Sequence, residues 1–61
     1  MRTELLNAVA RAVELKRGAY TWSEALTYCE VTFDLDEFER EDLPRLARGQ
    51  YRRLQEQINA D

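Results

Sequence analysis

The chain has no histidine and a single cysteine, Cys29, among 61 residues. An intramolecular disulfide is therefore excluded, and zinc sites of the usual Cys/His kind lack ligands. With no histidine and no glycine-rich phosphate loop, the common pairings of nucleophile and base cannot be assembled. No enzymatic role, cofactor or metal is expected. Residues 34–42 are rich in carboxylates, but they lack the glycine that an EF-hand needs at the sixth position of its calcium loop.

Long apolar runs are missing as well. Nothing approaches the roughly 20 apolar residues of a membrane span, and the first residues, MRTELLNAVARAVELKRG, return to charge at Arg11 and Glu14 before a signal-peptide core could form. The expectation is a cytoplasmic protein with no membrane partner, which suits a lone reduced thiol. A net charge of −3 and a pI near 4.9 argue against wholesale nucleic-acid binding, because such domains usually have a pI above about 9.

Helical periodicity is what the chain does have. Leu6, Val9, Ala10 and Val13 recur at helical spacing with Leu5 and Ala12 on the flank, which predicts an amphipathic helix from about Thr3 to Arg17. Lys16 and Arg17 suit the negative end of its dipole, and Gly18 is the residue expected to turn left-handed and stop it. Leu15 falls on the polar side.

Thr21-Trp22-Ser23-Glu24 is a capping box that starts a second helix, with Tyr20 placed to staple onto Ala25. Trp22, Ala25, Leu26 and Cys29 form its inward stripe, Cys29 as a small apolar filler. Tyr28 falls on another face and is the expected surface aromatic. Val31 and Phe33 are expected to plug the core from a short linker.

Asp34 then offers a cap for a short third helix over about residues 35–41, with Leu35 and Phe38 facing inward. Asp42-Leu43-Pro44 restarts the count, since proline is welcome in a first helical turn. Leu43, Ala47, Tyr51, Leu54 and Ile58 then make one stripe of a final helix over about residues 43–59, with Gly49 the weakest point in propensity. The expected fold is all-α: a small three-helix bundle with a short additional helical segment. At 61 residues the core must be thin, and homodimerisation is one way to complete it.

Charge is sorted along the chain. Residues 30–42 hold seven acids (Glu30, Asp34, Asp36, Glu37, Glu39, Glu41, Asp42) and one base, Arg40, whereas residues 43–53 hold Arg45, Arg48, Arg52 and Arg53 with no acid. The helix, turn, helix order of residues 21–43 has the outline of a helix-turn-helix. Its would-be reading helix, however, would aim five carboxylates at phosphates, so that role is excluded.

Two surfaces remain as candidates. One is an acidic face of Asp36, Glu37, Glu39 and Glu41 with Tyr28, suited to a protein partner, including a nucleic-acid-binding protein whose groove such carboxylates could occupy. The other is an arginine face of Arg45, Arg48, Arg52 and Arg53, which would meet nucleic acid directly. The first is preferred: a small cytoplasmic regulatory or adaptor protein, of the size often encoded by phages, plasmids or small operons. On the bland alternative the acids bias helix starts and keep the protein soluble, while the arginines pair with the acids of a neighbouring helix.

Overall fold

The computed structural model describes residues 3–59, which form three α-helices: α1 Thr3–Arg17, α2 Trp22–Thr32 and α3 Glu37–Asn59. They pack as a small all-α bundle. None is long and apolar enough to cross a membrane. α1 is the central element and packs on both others, while α2 and α3 meet more sparingly.

α2 runs antiparallel to α1. Cys29 near its end donates its Sγ–H to the carbonyl of Ala8 at 3.4 Å, whereas Trp22 at its start lies under Lys16. α3 runs in the same direction as α1, so that Leu6 and Val9 lie beside Arg45–Arg53, and Val13 and Arg17 beside Gln50 and Leu54.

The core is made largely of small side chains. Ala8, Ala12, Ala25 and Ala47 are fully buried, and the largest fully buried residues are Leu43 and Cys29. Leu5, Val13 and Leu35 complete it, with Trp22, Leu26, Phe33, Tyr51 and Leu54 packed against its edge. Alanine at the contacts lets helices approach to the close end of the usual 8–10 Å range, so little apolar volume serves to hold three helices together.

The buried arc of α1 is centred on Leu5, Ala8 and Ala12 rather than on Leu6 and Ala10, and Leu6 is 52% exposed. Apolar residues occupy so much of this helix's circumference that periodicity gives the arc without its centre. The neighbouring helices choose the centre. Of the residues expected to plug the core, Phe33 packs against it, but Val31 is 82% exposed.

α1 ends by a Schellman motif. Tyr20 N–H reaches the Leu15 carbonyl at 3.3 Å and Ala19 N–H the Lys16 carbonyl at 3.2 Å. The left-handed residue is Ala19, with φ of 78°, and not Gly18. Leu15 and Tyr20 then line the same recess, the apolar contact that accompanies this motif.

The short third segment and the final helix are one continuous α3. Asp42 does not cap a new helix; it lies inside α3, and Pro44 follows it about two turns from the start. Proline removes one backbone hydrogen bond there, a defect worth about 3 kcal/mol in an isolated helix. Burial of Leu43 and Ala47 on either side of it holds the chain helical through the gap. The cap of α3 is Asp36 rather than Asp34, and Phe38 in its first turn points outward, 77% exposed, rather than into the core.

Candidate functional site

The described surface has three regions that could carry a function, and each is set by how α1 and α3 lie.

The first is the acidic start of α3. Asp36 accepts the Glu39 N–H through Oδ1 at 2.8 Å, and Glu39 Oε1 accepts the Asp36 N–H at 3.0 Å. Asp36 and Glu39 are thus a second capping box. Glu39 is only 7% exposed, so it leaves the expected acidic face and belongs to the helix start instead. The signal was in the sequence, because Asp-x-x-Glu is the same pattern as the box at Thr21. Glu37 and Glu41 remain exposed on either side of Phe38, with Asp34 exposed just before the helix.

Tyr28 does not join them. It is a surface aromatic, as expected, but it lies on the seam of α1 and α2, with the Arg11 guanidinium 5.8 Å from its ring centroid. Arg11 also bonds Glu14 at 3.1 Å. The contacts with Tyr28 and Glu14 hold its guanidinium even more firmly charged than usual.

The second region is the arginine-bearing middle of α3. Its four arginines have different surroundings. Arg45 pairs with Asp42 at 3.1 Å and Arg52 with Glu56 at 3.5 Å, both within the helix. Arg48 lies 6.0 Å from the Trp22 ring centroid, and Trp22 in turn meets Tyr51 edge to face at 5.4 Å and 81°. Lys16 of α1 is also 6.0 Å from that ring, so Trp22 joins all three helices. Arg53 turns toward α1. The expected pairing of arginines with a neighbouring helix is replaced by pairing along α3 itself, at the 3- and 4-residue spacings a helix permits.

The third region escaped the sequence because it belongs to two helices at once. Between α1 and α3 runs an open groove. One end is a hollow of about 480 Å³ floored by Leu6, Val9, Leu46 and Gly49 and edged by Arg45 and Arg53. It continues through Gln50 into a second hollow of about 520 Å³ over Ala10, Val13 and Leu54, edged by Glu14 and Arg17. A Cβ built on Gly49 would meet nothing within 4 Å, so this glycine opens the floor of the first hollow. Only the alignment of α1 with α3 brings Leu6 and Gly49 together.

Cys29 offers no accessible chemistry. It is fully buried, and removal from water pushes its thiol pKa up, the opposite of what a nucleophile needs. Among the described residues no three of the Cys, Asp and Glu side chains converge into a group that could hold a metal ion. Comparison with protein-family models, curated proteins and solved structures yields no match for this chain. Function must therefore be argued from these surfaces.

Proposed function

We propose that this chain is a small protein-binding domain of the regulatory or adaptor type, acting in the cytoplasm, and that its contact surface is the acidic first turns of α3. The observation that carries this reading is Phe38. A large aromatic left 77% exposed in the first turn of a helix adds little to the described core, yet aromatics of this kind are what anchor protein interfaces.

Exposed carboxylates outnumber the one exposed base near it in sequence: Asp34, Glu37 and Glu41 against Arg40. An apolar anchor set among acids suits a basic protein surface that contains an apolar hollow. It is poorly suited to a phosphate backbone. Direct contact with nucleic acid through Arg45, Arg48, Arg52 and Arg53 is disfavoured, because Arg45 and Arg52 are each already paired with a carboxylate on the same helix.

The test is an NMR titration of the labelled chain with a synthetic amphipathic helix of arginine and leucine, and separately with duplex DNA. The expected result is that the peptide shifts amides of residues 34–41, that Phe38→Ala or the pair Glu37→Gln and Glu41→Gln removes those shifts, and that DNA leaves the chain unchanged. Shifts with DNA confined to residues 45–53, with none from the peptide at the start of α3, would overturn the assignment in favour of nucleic acid.

A further inference from the structure

The surface required of the partner, an apolar hollow edged by arginines, is present on the chain itself. We infer that two copies pair through antiparallel α3 helices, each Phe38 seating in the partner copy's hollow over Gly49 between Arg45 and Arg53. This rests on the reading of the start of α3 as a contact surface, and it names the occupant.

The geometry of one helix supplies the argument. Phe38 and Gly49 lie on one side of α3 about three turns apart, since eleven steps of 100° return to within about 20° of the starting direction. One is an exposed aromatic and the other an open space in the helix surface. In a two-fold pair, residue i opposes j and j opposes i. Placing Phe38 of one copy over Gly49 of the other therefore makes the same contact twice.

That register settles the remaining levels. Asp42 of each copy comes level with Arg45 of the other, so that the pair each makes within its own helix is extended across the two-fold axis. Charge along α3 is mostly acidic over residues 37–42, where Arg40 is the one base, and basic over residues 45–53, an order complementary to itself only when the helices are antiparallel. A parallel pair would set acid against acid, which is destabilising.

Packing agrees with charge. Pairing would cover Phe38 and Leu6, two of the large apolar side chains that the single chain leaves outside. The gain is substantial for a core whose largest fully buried side chains are one leucine and one cysteine. Glycine at position 49 also acquires a purpose, because alanine would be the better helix former there and nothing among the described residues prevents it.

The experiment is sedimentation equilibrium of the full chain from about 10 μM to about 1 mM, at low salt and at about 0.5 M salt, with helix content followed by circular dichroism. The range brackets weak to moderate self-association. Wild type is expected to form dimers, more weakly at high salt. Phe38→Glu and Gly49→Gln, both at exposed positions, are expected to retain helix content while raising the dissociation constant by about thirtyfold or more, the effect of removing an interface anchor.

A chain that stays monomeric throughout the range would overturn the pairing, as would a dimer indifferent to Phe38→Glu and Gly49→Gln. If the chain is monomeric but the arginine and leucine peptide still binds at Phe38, the contact surface stands and only its occupant is wrong. If the peptide also fails to bind, both fall.

Discussion

Thr21 with Glu24, and Asp36 with Glu39, close the same pair of hydrogen bonds at the starts of α2 and α3, at 2.9 and 3.1 Å in the first and 2.8 and 3.0 Å in the second. Their settings differ. Glu24 stands in water, whereas Glu39 is buried against the bundle. Where water can replace a lost partner, a cap is a modest local preference. Where the acid is itself buried, removing it costs packing as well as the bond to a part-buried N–H, so the box becomes part of the tertiary structure. The comparison also bears on function. Burial of Glu39 withdraws one acid from the surface of α3 and leaves Phe38 between Glu37 and Glu41 as the exposed element.

The largest effect is expected at the buried box. Glu39→Ala should lower unfolding stability by about 2 kcal/mol in urea titration, combining loss of the bond to Asp36 N–H with a space where the side chain packed. Glu24→Ala should cost clearly less. Equal losses would show that burial does not separate the two boxes.

Thr21→Ala comes next. It should cost about 1 kcal/mol, the usual value for removing an N-cap hydroxyl, and restoring serine should recover most of it. Thermal unfolding of the three proteins side by side is sufficient to check this.

A third change contrasts these two helix starts with the end of α1. Ala19 holds φ of 78°, which an L-residue tolerates poorly and glycine readily. Ala19→Gly should therefore stabilise the chain by about 0.5 kcal/mol, net of the extra freedom glycine gains in the unfolded state. A loss of stability would mean that the methyl group contributes packing that outweighs the strain.

The smallest effect concerns pH. The hydrogen bonds from Thr21, backbone first and hydroxyl second, hold the Glu24 carboxyl below the ordinary value. A group depressed in the folded state adds stability above its unfolded pKa of about 4.3, and that contribution disappears as pH falls through the folded value. The difference in melting temperature between wild type and Glu24→Gln should accordingly shrink as pH is lowered from about 6 to about 3. A difference that stayed constant would assign the Glu24 effect to something other than its charge.

Local chemistry was readable wherever it depended on neighbours in sequence. The span of α1, the box at Thr21, the exposure of Tyr28 and the burial of Cys29 all follow from residues within a few positions of one another. Pro44 misled for the same reason: read locally, Asp42-Leu43-Pro44 begins a helix. In the folded chain, Leu43 and Ala47 are buried in the core shared by the three helices, and α3 continues across the proline. The face of α1 was misplaced because Leu5, Leu6, Ala8, Val9, Ala10, Ala12 and Val13 cover too much of its surface for periodicity to find the centre.

The sequence by itself determined that this is an all-α chain, where two of its helices begin, and that acids and arginines are separated along it, since each of these depends on short-range spacing and charge. Tertiary structure decided which residues of α1 face inward, that Glu39 is buried while Phe38 is exposed, and that Leu6 and Gly49 meet in one groove. The physical reason is common to all three. Burial is a property of the space between helices, and only the packing of α1 against α2 and α3 determines where that space closes and where it is left open.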